Sequence, residues 1–280
     1  MKTNVIYQGK CSNVMQGNIP DNSIDLTVTS PPYDNLRDYE GYDFDYKPIA
    51  KQLFRVTKEG GVVVWVVADE TNDFCESLSS FKQAIYFAED IGFKLLDTMI
   101  YKKKSYPPAY PYLRRYANQF EYMFVFVKGK KPKTFNKLRT DRNDFHNGKI
   151  CGFRQKDGSI RRKEIKGSNK DKAKTNVWEI DQGYQKSTQD DFTFEHPASF
   201  PEILAKEHIK SWSDENDIIL DPMCGSGTVL KQAEILNRKW IGIDIAEKYV
   251  NLSYKRVGKF NKKYYDELPK EERPKQKQLF

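Results

Sequence analysis

Asp217-Ile218-Ile219-Leu220-Asp221-Pro222-Met223-Cys224-Gly225-Ser226-Gly227-Thr228 carries the pattern of a strand, a glycine turn and the start of a helix. Asp217 to Leu220 reads as a short strand, and Pro222, Gly225 and Gly227 read as a turn at its C-terminal end. A helix follows, with Val229, Leu230, Ala233 and Leu236 on its apolar side. The next strand, Trp240-Ile241-Gly242-Ile243-Asp244, ends on an acid nineteen residues after Gly225. Glycines in the turn let the backbone approach a ligand without a Cβ clash. A carboxylate at the end of the second strand is placed to accept both hydroxyls of a ribose. A lone Gly-Ser-Gly is more often a simple turn, but here strand, helix and acid coincide. The third glycine of the dinucleotide fingerprint is missing, and no Gly-Lys-Ser/Thr follows as in a P-loop. Asp221 is placed for an ammonium group. Together these features favour a nucleoside that carries an amino acid, S-adenosylmethionine, over NAD or ATP.

The second informative run is Ile24-Asp25-Leu26-Thr27-Val28-Thr29-Ser30-Pro31-Pro32-Tyr33. Ile24 to Val28 reads as a buried strand, apolar and β-branched, broken by one acid. Pro31 cannot donate a ladder hydrogen bond, and two prolines together stop the strand. Each proline also biases the preceding residue to an extended backbone. The result is a stiff loop at a strand's C-terminal edge, where ligands bind in open α/β sheets. It offers the Ser30 hydroxyl, the Pro31 carbonyl and the ring of Tyr33. Two acceptors beside a flat π surface suit a base bearing an exocyclic amine. A proline turn with a packed tyrosine would be the plain alternative for these residues alone.

Around these two runs the chain reads as β-α-β-α-β, then an antiparallel pair, a basic stretch, and the strand–turn–helix–strand–helix just described. Val5-Ile6-Tyr7 is a short strand. Ile49, Leu53 and Val56 mark a helix that begins near Pro48 and is expected to end at Gly60-Gly61. Val62 to Val67 is a continuous apolar run, as in a strand covered on both faces. Phe81, Ala84, Ile85 and Ala88 mark the next helix, closed by Gly92. Leu95 to Tyr101 and Glu121 to Val127 are two further strands. Val177 to Ile180 returns the chain to the main domain, and Asp34 to Tyr42 reads as a turn-rich segment able to close over a bound base.

Charge is unevenly spread. Residues 101–190 hold 23 lysines and arginines against 9 aspartates and glutamates, whereas the rest holds 24 against 30. One third of the chain therefore carries the whole positive excess, as a polyanion-binding face would. Lys102, Lys103, Lys104, Arg114 and Arg115 flank Tyr106, Tyr110 and Tyr112, so phosphate contacts and aromatic contacts are expected to share this one loop. The four cysteines, Cys11, Cys75, Cys151 and Cys224, are scattered and form no disulfide or metal spacing. His146, His196 and His208 are likewise too dispersed for a metal site, and no metal is expected. No apolar run reaches the ~18 residues of a membrane span, and no N-terminal secretion core is present, so the reading expects a cytoplasmic protein without membrane attachment.

Taken with their order, these motifs resemble the β class of DNA amino-methyltransferases. Ser30-Pro31-Pro32-Tyr33 matches that family's catalytic loop. His196 to Pro201 matches the segment before the cofactor loop, Asp221 to Thr228 the cofactor motif with Met223 in place of phenylalanine, and Gly242-Ile243-Asp244 the ribose-binding strand. The likeness covers roughly 1–128 and 177–257. It implies a class I S-adenosylmethionine-dependent methyltransferase (Rossmann-like) α/β fold with permuted motif order and an inserted target-recognition region. The corresponding division is a catalytic half at 1–128, a basic target-recognition region at 129–190, a cofactor half at 191–260 and a charged tail at 261–280.

The resemblance implies catalysis by Ser30, Pro31, Pro32 and Tyr33. It implies cofactor binding by Asp221, Met223, Cys224, Gly225, Ser226, Gly227, Thr228 and Asp244, with Phe200 packing nearby. The family usually has Gly-Asp near the N-terminus, with the acid on the cofactor's adenine. Here Gly9-Lys10 is followed by Cys11, so backbone groups at Lys10 or Cys11 take that role. The expected substrate is a base flipped out of double-stranded DNA. Cytosine N4 and adenine N6 both fit the two acceptors, and serine before Pro-Pro-Tyr, commoner among cytosine-N4 enzymes, tilts the choice to cytosine. An RNA methyltransferase and an inactive nucleic-acid-binding relative are the alternatives. The resemblance also implies a homodimer and a cognate restriction endonuclease as partners to be expected besides DNA.

Overall fold

The two runs at Ile24 and Ile218 fold as adjacent parallel strands inside one sheet. The computed structural model describes residues 1–32, 44–104, 116–141, 150–164, 171–181, 188, 190 and 200–258. The chain divides into two units, one of Met1–Asn136 with Asn176–Phe280 and one of Lys137–Thr175. The first unit begins β1 (Val5–Gln8), α1 (Cys11–Asn18), β2 (Ile24–Thr29), α2 (Tyr46–Val56) and β3 (Thr57–Val67). A short hairpin of β4 (Thr71–Asn72) and β5 (Cys75–Glu76) leads to α3 (Ser79–Ile85) and a π-helical turn at Tyr86–Asp90. Strands β6 (Lys94–Lys103) and β7 (Phe120–Val127) follow. The second unit holds β8 (Arg139–Asp141), β9 (Ile150–Arg154), β10 (Ile160–Glu164) and β11 (Asp171–Ala173). The chain then completes the first unit with β12 (Val177–Ile180), α4 (Glu202–Trp212), β13 (Ile218–Asp221), α5 (Thr228–Ile235), β14 (Lys239–Asp244) and α6 (Glu247–Gly258).

Eight strands form the main sheet in the order β1-β14-β13-β2-β3-β7-β6-β12. Strands β1, β14, β13, β2 and β3 are mutually parallel, β7 is antiparallel to both β3 and β6, and β12 is parallel to β6. From β13 the chain winds to β14, and from β2 it winds the other way to β3. The switch in direction lies between β13 and β2, where an open α/β sheet places its ligand crevice.

Helices on both faces explain the uniform apolarity of the inner strands. Every residue from Val62 to Val67 is buried. Val63, Trp65 and Val67 pack with Met15 of α1, Leu53 of α2 and Phe87 and Phe93, while helices α4, α5 and α6 pack together with α4 against β2. The acid inside β2 is also accounted for. Asp25 is buried, and its Oδ2 accepts from Lys58 Nζ at 2.6 Å and from the Ile218 N–H at 3.0 Å, tying β2 to the start of β13.

Two local expectations are corrected. Helix α2 ends at Val56, four residues before Gly60-Gly61. Its last carbonyls need no glycine cap, because Lys128 Nζ donates to the carbonyls of Phe54 at 2.6 Å and Thr57 at 2.8 Å. Gly60, at φ +76°, and Gly61 instead lie in the irregular start of β3, where a Cβ on Gly61 would meet the Lys58 carbonyl oxygen at 2.9 Å. In α3 the buried residues are Ser80, Gln83 and Ala84, whereas Phe81 and Ile85 are exposed. Gln83 is inward because its Oε1 accepts from the indole N–H of buried Trp65 at 2.8 Å.

Candidate active site

Four parallel strands end at one edge. Cross-strand register sets Gln8 beside Asp244, Gly242 beside Asp221, and Leu220 beside Thr27. The chain therefore brings the residues after β1, β14, β13 and β2 together as neighbours, although they lie up to 236 positions apart in sequence.

The turn after β13 is built around Asp244. Its Oδ2 accepts from the Gly225 N–H at 2.8 Å and its Oδ1 from the Ala246 N–H at 3.0 Å. Each carboxylate oxygen offers two lone pairs, so each keeps acceptor capacity after these bonds. Gly225 and Gly227 sit at φ +50° and +76°, the left-handed region that glycine enters without strain. Behind the turn, Ser253 Oγ donates to the Gly225 carbonyl at 2.7 Å, and a Cβ on Gly227 would meet Ser253 Oγ at 2.8 Å. Cys224, Ser226, Gly227 and Thr228 are buried, and Met223 is half-buried against the apolar cluster that contains Cys11 and Met15.

Asp221 is buried, and its Oδ1 accepts from the Thr29 hydroxyl at 2.8 Å and from the Met223 N–H at 3.2 Å. Thr29 immediately precedes half-buried Ser30, buried Pro31 and half-buried Pro32. One hydrogen bond thus joins the turn after β13 to the loop after β2. Tyr33 lies outside the described residues, as do 34–42 and His196 to Ser199.

Burial pushes the Asp221 carboxyl up to about 7, against the Thr29 and Met223 hydrogen bonds that lower it. Burial likewise raises Asp244, against the N–H donors that hold it. Among the described residues no lysine or arginine pairs with either acid. Two buried carboxylates without a cation form a site whose electrostatics favour a positively charged ligand. Burial also raises the Cys11 thiol, to about 11, and the Cys224 thiol well above its ordinary value, so both are neutral near pH 7. Cys11 begins α1, after Gly9 donates its N–H to the Asp244 carbonyl at 2.9 Å.

Phe200 is half-buried beside Pro201, which caps α4. The basic residues lie further along. Lys102 and Lys103 end β6, which is parallel to β3, so they and Lys104 stand at the same sheet edge about 14 Å from β2, three strand spacings away. Their charges are offset locally, by Glu179 at 3.1 Å for Lys102, Glu121 at 2.7 Å for Lys103 and Asp181 at 3.0 Å for Lys104. Arg114 and Arg115 lie outside the described residues.

Beneath the glycine turn sits a group that reading the chain does not single out. Arg256, fully buried in α6, donates to the Ser226 carbonyl at 3.2 Å, to Ser226 Oγ at 3.1 Å and to Thr228 Oγ1 at 2.6 Å. It also pairs with Asp190 at 3.1 Å and Glu202 at 2.8 Å, and Lys231 of α5 pairs with the same two acids at 2.8 and 2.7 Å. Burial raises the Glu202 carboxyl, but the Lys231 and Thr188 hydrogen bonds and the two cations outweigh it and hold Glu202 low. Lys231 stands beside buried Leu230 in α5, but the helix also carries Gln232 and Glu234, so its sequence does not mark the lysine as interior.

Comparison with known proteins is consistent with this architecture. The DNA methylase family profile matches residues 24–255. The chain is 51% identical over 247 residues to the orphan methyltransferase M.BamHII of Bacillus amyloliquefaciens, covering 87% of this chain and 92% of that protein. It superposes on the cytosine-N4-specific PvuII DNA methyltransferase with a TM-score of 0.68 at 20% identity, covering 95% of this chain and 91% of that one. The M1.HpyAVI–SAM complex gives a TM-score of 0.59 at 20% identity, covering 90% of this chain and 98% of that one.

Proposed function

The chain belongs to the DNA methylase family, and from that premise we propose that it transfers a methyl group to the exocyclic amine of a base flipped out of double-stranded DNA. S-Adenosylmethionine supplies the methyl group as an electrophilic sulfonium. The residues at the sheet edge fit that molecule. Asp244 accepts the ribose hydroxyls on its remaining lone pairs, Asp221 faces the cationic amino-acid end, and Gly225 and Gly227 clear the approach. Cys224, Ser226 and Thr228 hold the turn, while Met223, Phe200 and Cys11 border it.

An exocyclic amine is a poor nucleophile, because its lone pair is delocalised into the ring. Ser30 Oγ and the Pro31 carbonyl accept its two N–H groups and turn the lone pair towards the methyl, while Pro32 stiffens the loop and Tyr33 stacks on the base. Serine is a weak base, so positioning and electrostatics carry the rate. The observation that carries this reading is the Thr29–Asp221 hydrogen bond, which sets the acceptor loop beside the donor turn. The basic region 129–190 serves as target-recognition region between catalytic and cofactor halves. Lys102, Lys103 and Lys104, with Arg114 and Arg115, contact the phosphates. The Lys102–Glu179 and Lys104–Asp181 pairs are exposed, and exposed ion pairs are worth only about 0–1 kcal/mol, so these two lysines exchange their acids for DNA at little cost.

Serine before Pro-Pro-Tyr favours cytosine N4 as the acceptor, with adenine N6 the alternative. The test is transfer of labelled methyl from S-adenosylmethionine to double-stranded DNA, single-stranded DNA or RNA. Label in double-stranded DNA supports the proposal, and label confined to RNA overturns it.

A further inference from the structure

The second unit contains an exposed two-stranded ribbon. Strands β9 and β10 pair antiparallel, with Arg154 opposite Ile160, Phe153 opposite Arg161 and Gly152 opposite Arg162. Every residue from Gly152 to Arg162 is exposed, including Phe153 at 50% and Ile160 at 61%. The ribbon's tip is stiff. The Gln155 N–H donates to the Ser159 carbonyl at 2.7 Å, and the Gly158 N–H to the Gln155 carbonyl at 3.0 Å, with Gly158 at φ +84°. The one acid there, Asp157, is taken up by the turn, since its Oδ1 accepts from the Ser159 N–H at 3.0 Å and hydroxyl at 2.7 Å.

Residues directly opposite on an antiparallel pair share a face, and the faces alternate along each strand. One face of the ribbon therefore carries Arg154, Ile160 and Arg162 over Gly152, and the other carries Phe153 and Arg161. The absent side chain at Gly152 is used: a Cβ there would meet Ile160 Cγ2 at 2.9 Å, so Ile160 lies across the glycine between the two arginines. A bare two-stranded ribbon that covers neither face gains little stability by itself. From Ile150 to Glu164 the ribbon carries five cations, Arg154, Lys156, Arg161, Arg162 and Lys163, against two acids, the tied Asp157 and Glu164 at its base, and this net positive charge suits a polyanion.

The major groove of B-DNA admits a two-stranded ribbon, and arginine is the side chain that reads guanine there by a paired contact. Resting on the DNA methyltransferase reading above, we propose that the β9–β10 ribbon enters the major groove, with Arg154 and Arg162 reading base edges and Ile160 making apolar contact between them. Residues 160 and 162 are ~6.8 Å apart along the strand, and Arg154 pairs with residue 160. The two guanidiniums thus address positions about two base-pair steps apart. Arg161, on the opposite face, meets the phosphate backbone.

The test is methylation of a duplex library randomised in sequence, read by which sites acquire the methyl group, for the wild type and for R154A, R162A and R161A. Cofactor affinity and circular dichroism, expected unchanged in all three, show that the fold is intact. R154A and R162A should each relax selectivity at one base pair, by roughly five- to a hundred-fold, with the two positions about two steps apart. R161A should weaken binding evenly across sequences and reduce the salt slope by about one. An unchanged sequence profile in R154A and R162A, or an even weakening without relaxed selectivity, overturns the ribbon's role. In that event the wild type still methylates DNA and the methyltransferase reading stands. Failure of the wild type to methylate any duplex refutes that reading instead.

Discussion

Asp221 shows how one residue reports on both halves of the site. Its carboxyl is buried, bonded to Thr29, and raised to about 7, with Asp244 the charged neighbour and no cation facing it among the described residues. A carboxyl raised in the fold favours the protonated form, so the ligand-free protein loses stability as pH rises from about 4 towards about 7. A cationic ligand reverses that preference, because it binds the ionised form. Affinity for S-adenosylmethionine should therefore rise between about pH 5.5 and about pH 7, and Asp221→Asn should flatten the rise. Calorimetry across that range checks it, and an equal slope in the variant would remove Asp221 from the cationic end. At this scale the chemistry of Asp221 and Asp244 is legible in the sequence, because each ends an apolar strand beside a glycine turn. Thr29 is not, since a hydroxyl in a β-branched strand looks like any other threonine until β13 is laid beside β2.

The elements show where periodicity succeeds and where it fails. Strands β2, β3, β13 and β14 announce themselves as apolar runs, because helices cover both faces of the sheet. Helix ends are harder to read. The end of α2 depends on Lys128, which is 72 residues beyond Val56, and no local pattern contains that contact. The same holds for α5 and α6, whose Lys231 and Arg256 look like solvent-facing cations yet meet Asp190 and Glu202 in the interior. Arg256 supports the glycine turn through Ser226 and Thr228, and removing one member of a buried ionic group leaves the others uncompensated. Arg256→Met should cost about 3–5 kcal/mol of stability, and Arg256→Lys should recover only part, since lysine lacks the planar fork. Thermal or denaturant unfolding measures both. A change within about 0.5 kcal/mol for Arg256→Met would mean that the group contributes nothing beyond an ordinary surface pair.

For the whole molecule, charge and topology divide the work. The sheet edge gathers two buried carboxylates, Asp221 and Asp244, while the positive excess is concentrated in residues 101–190. Sequence composition shows that division directly, whereas the pairing of Lys102, Lys103 and Lys104 with Glu179, Glu121 and Asp181 requires the fold. No helix among the described residues is long and apolar enough to cross a membrane. Affinity for duplex DNA should fall steeply with salt, on the order of a thousandfold between about 50 and 200 mM if roughly six phosphates are contacted. A filter-binding titration with a nearly flat salt dependence would contradict a phosphate-contacting basic region.

In the proposed reaction the loop at Ser30 presents an exocyclic amine to the methyl donor held at Asp221 and Asp244. The most direct test is mass spectrometry of nucleosides from duplex DNA methylated by the protein. The expected product is N4-methylcytosine. N6-methyladenine alone would overturn the choice of base and leave the chemistry of the loop intact, whereas 5-methylcytosine, which needs a nucleophilic cysteine that Ser30-Pro31-Pro32-Tyr33 does not supply, would rule out amine methylation at this loop.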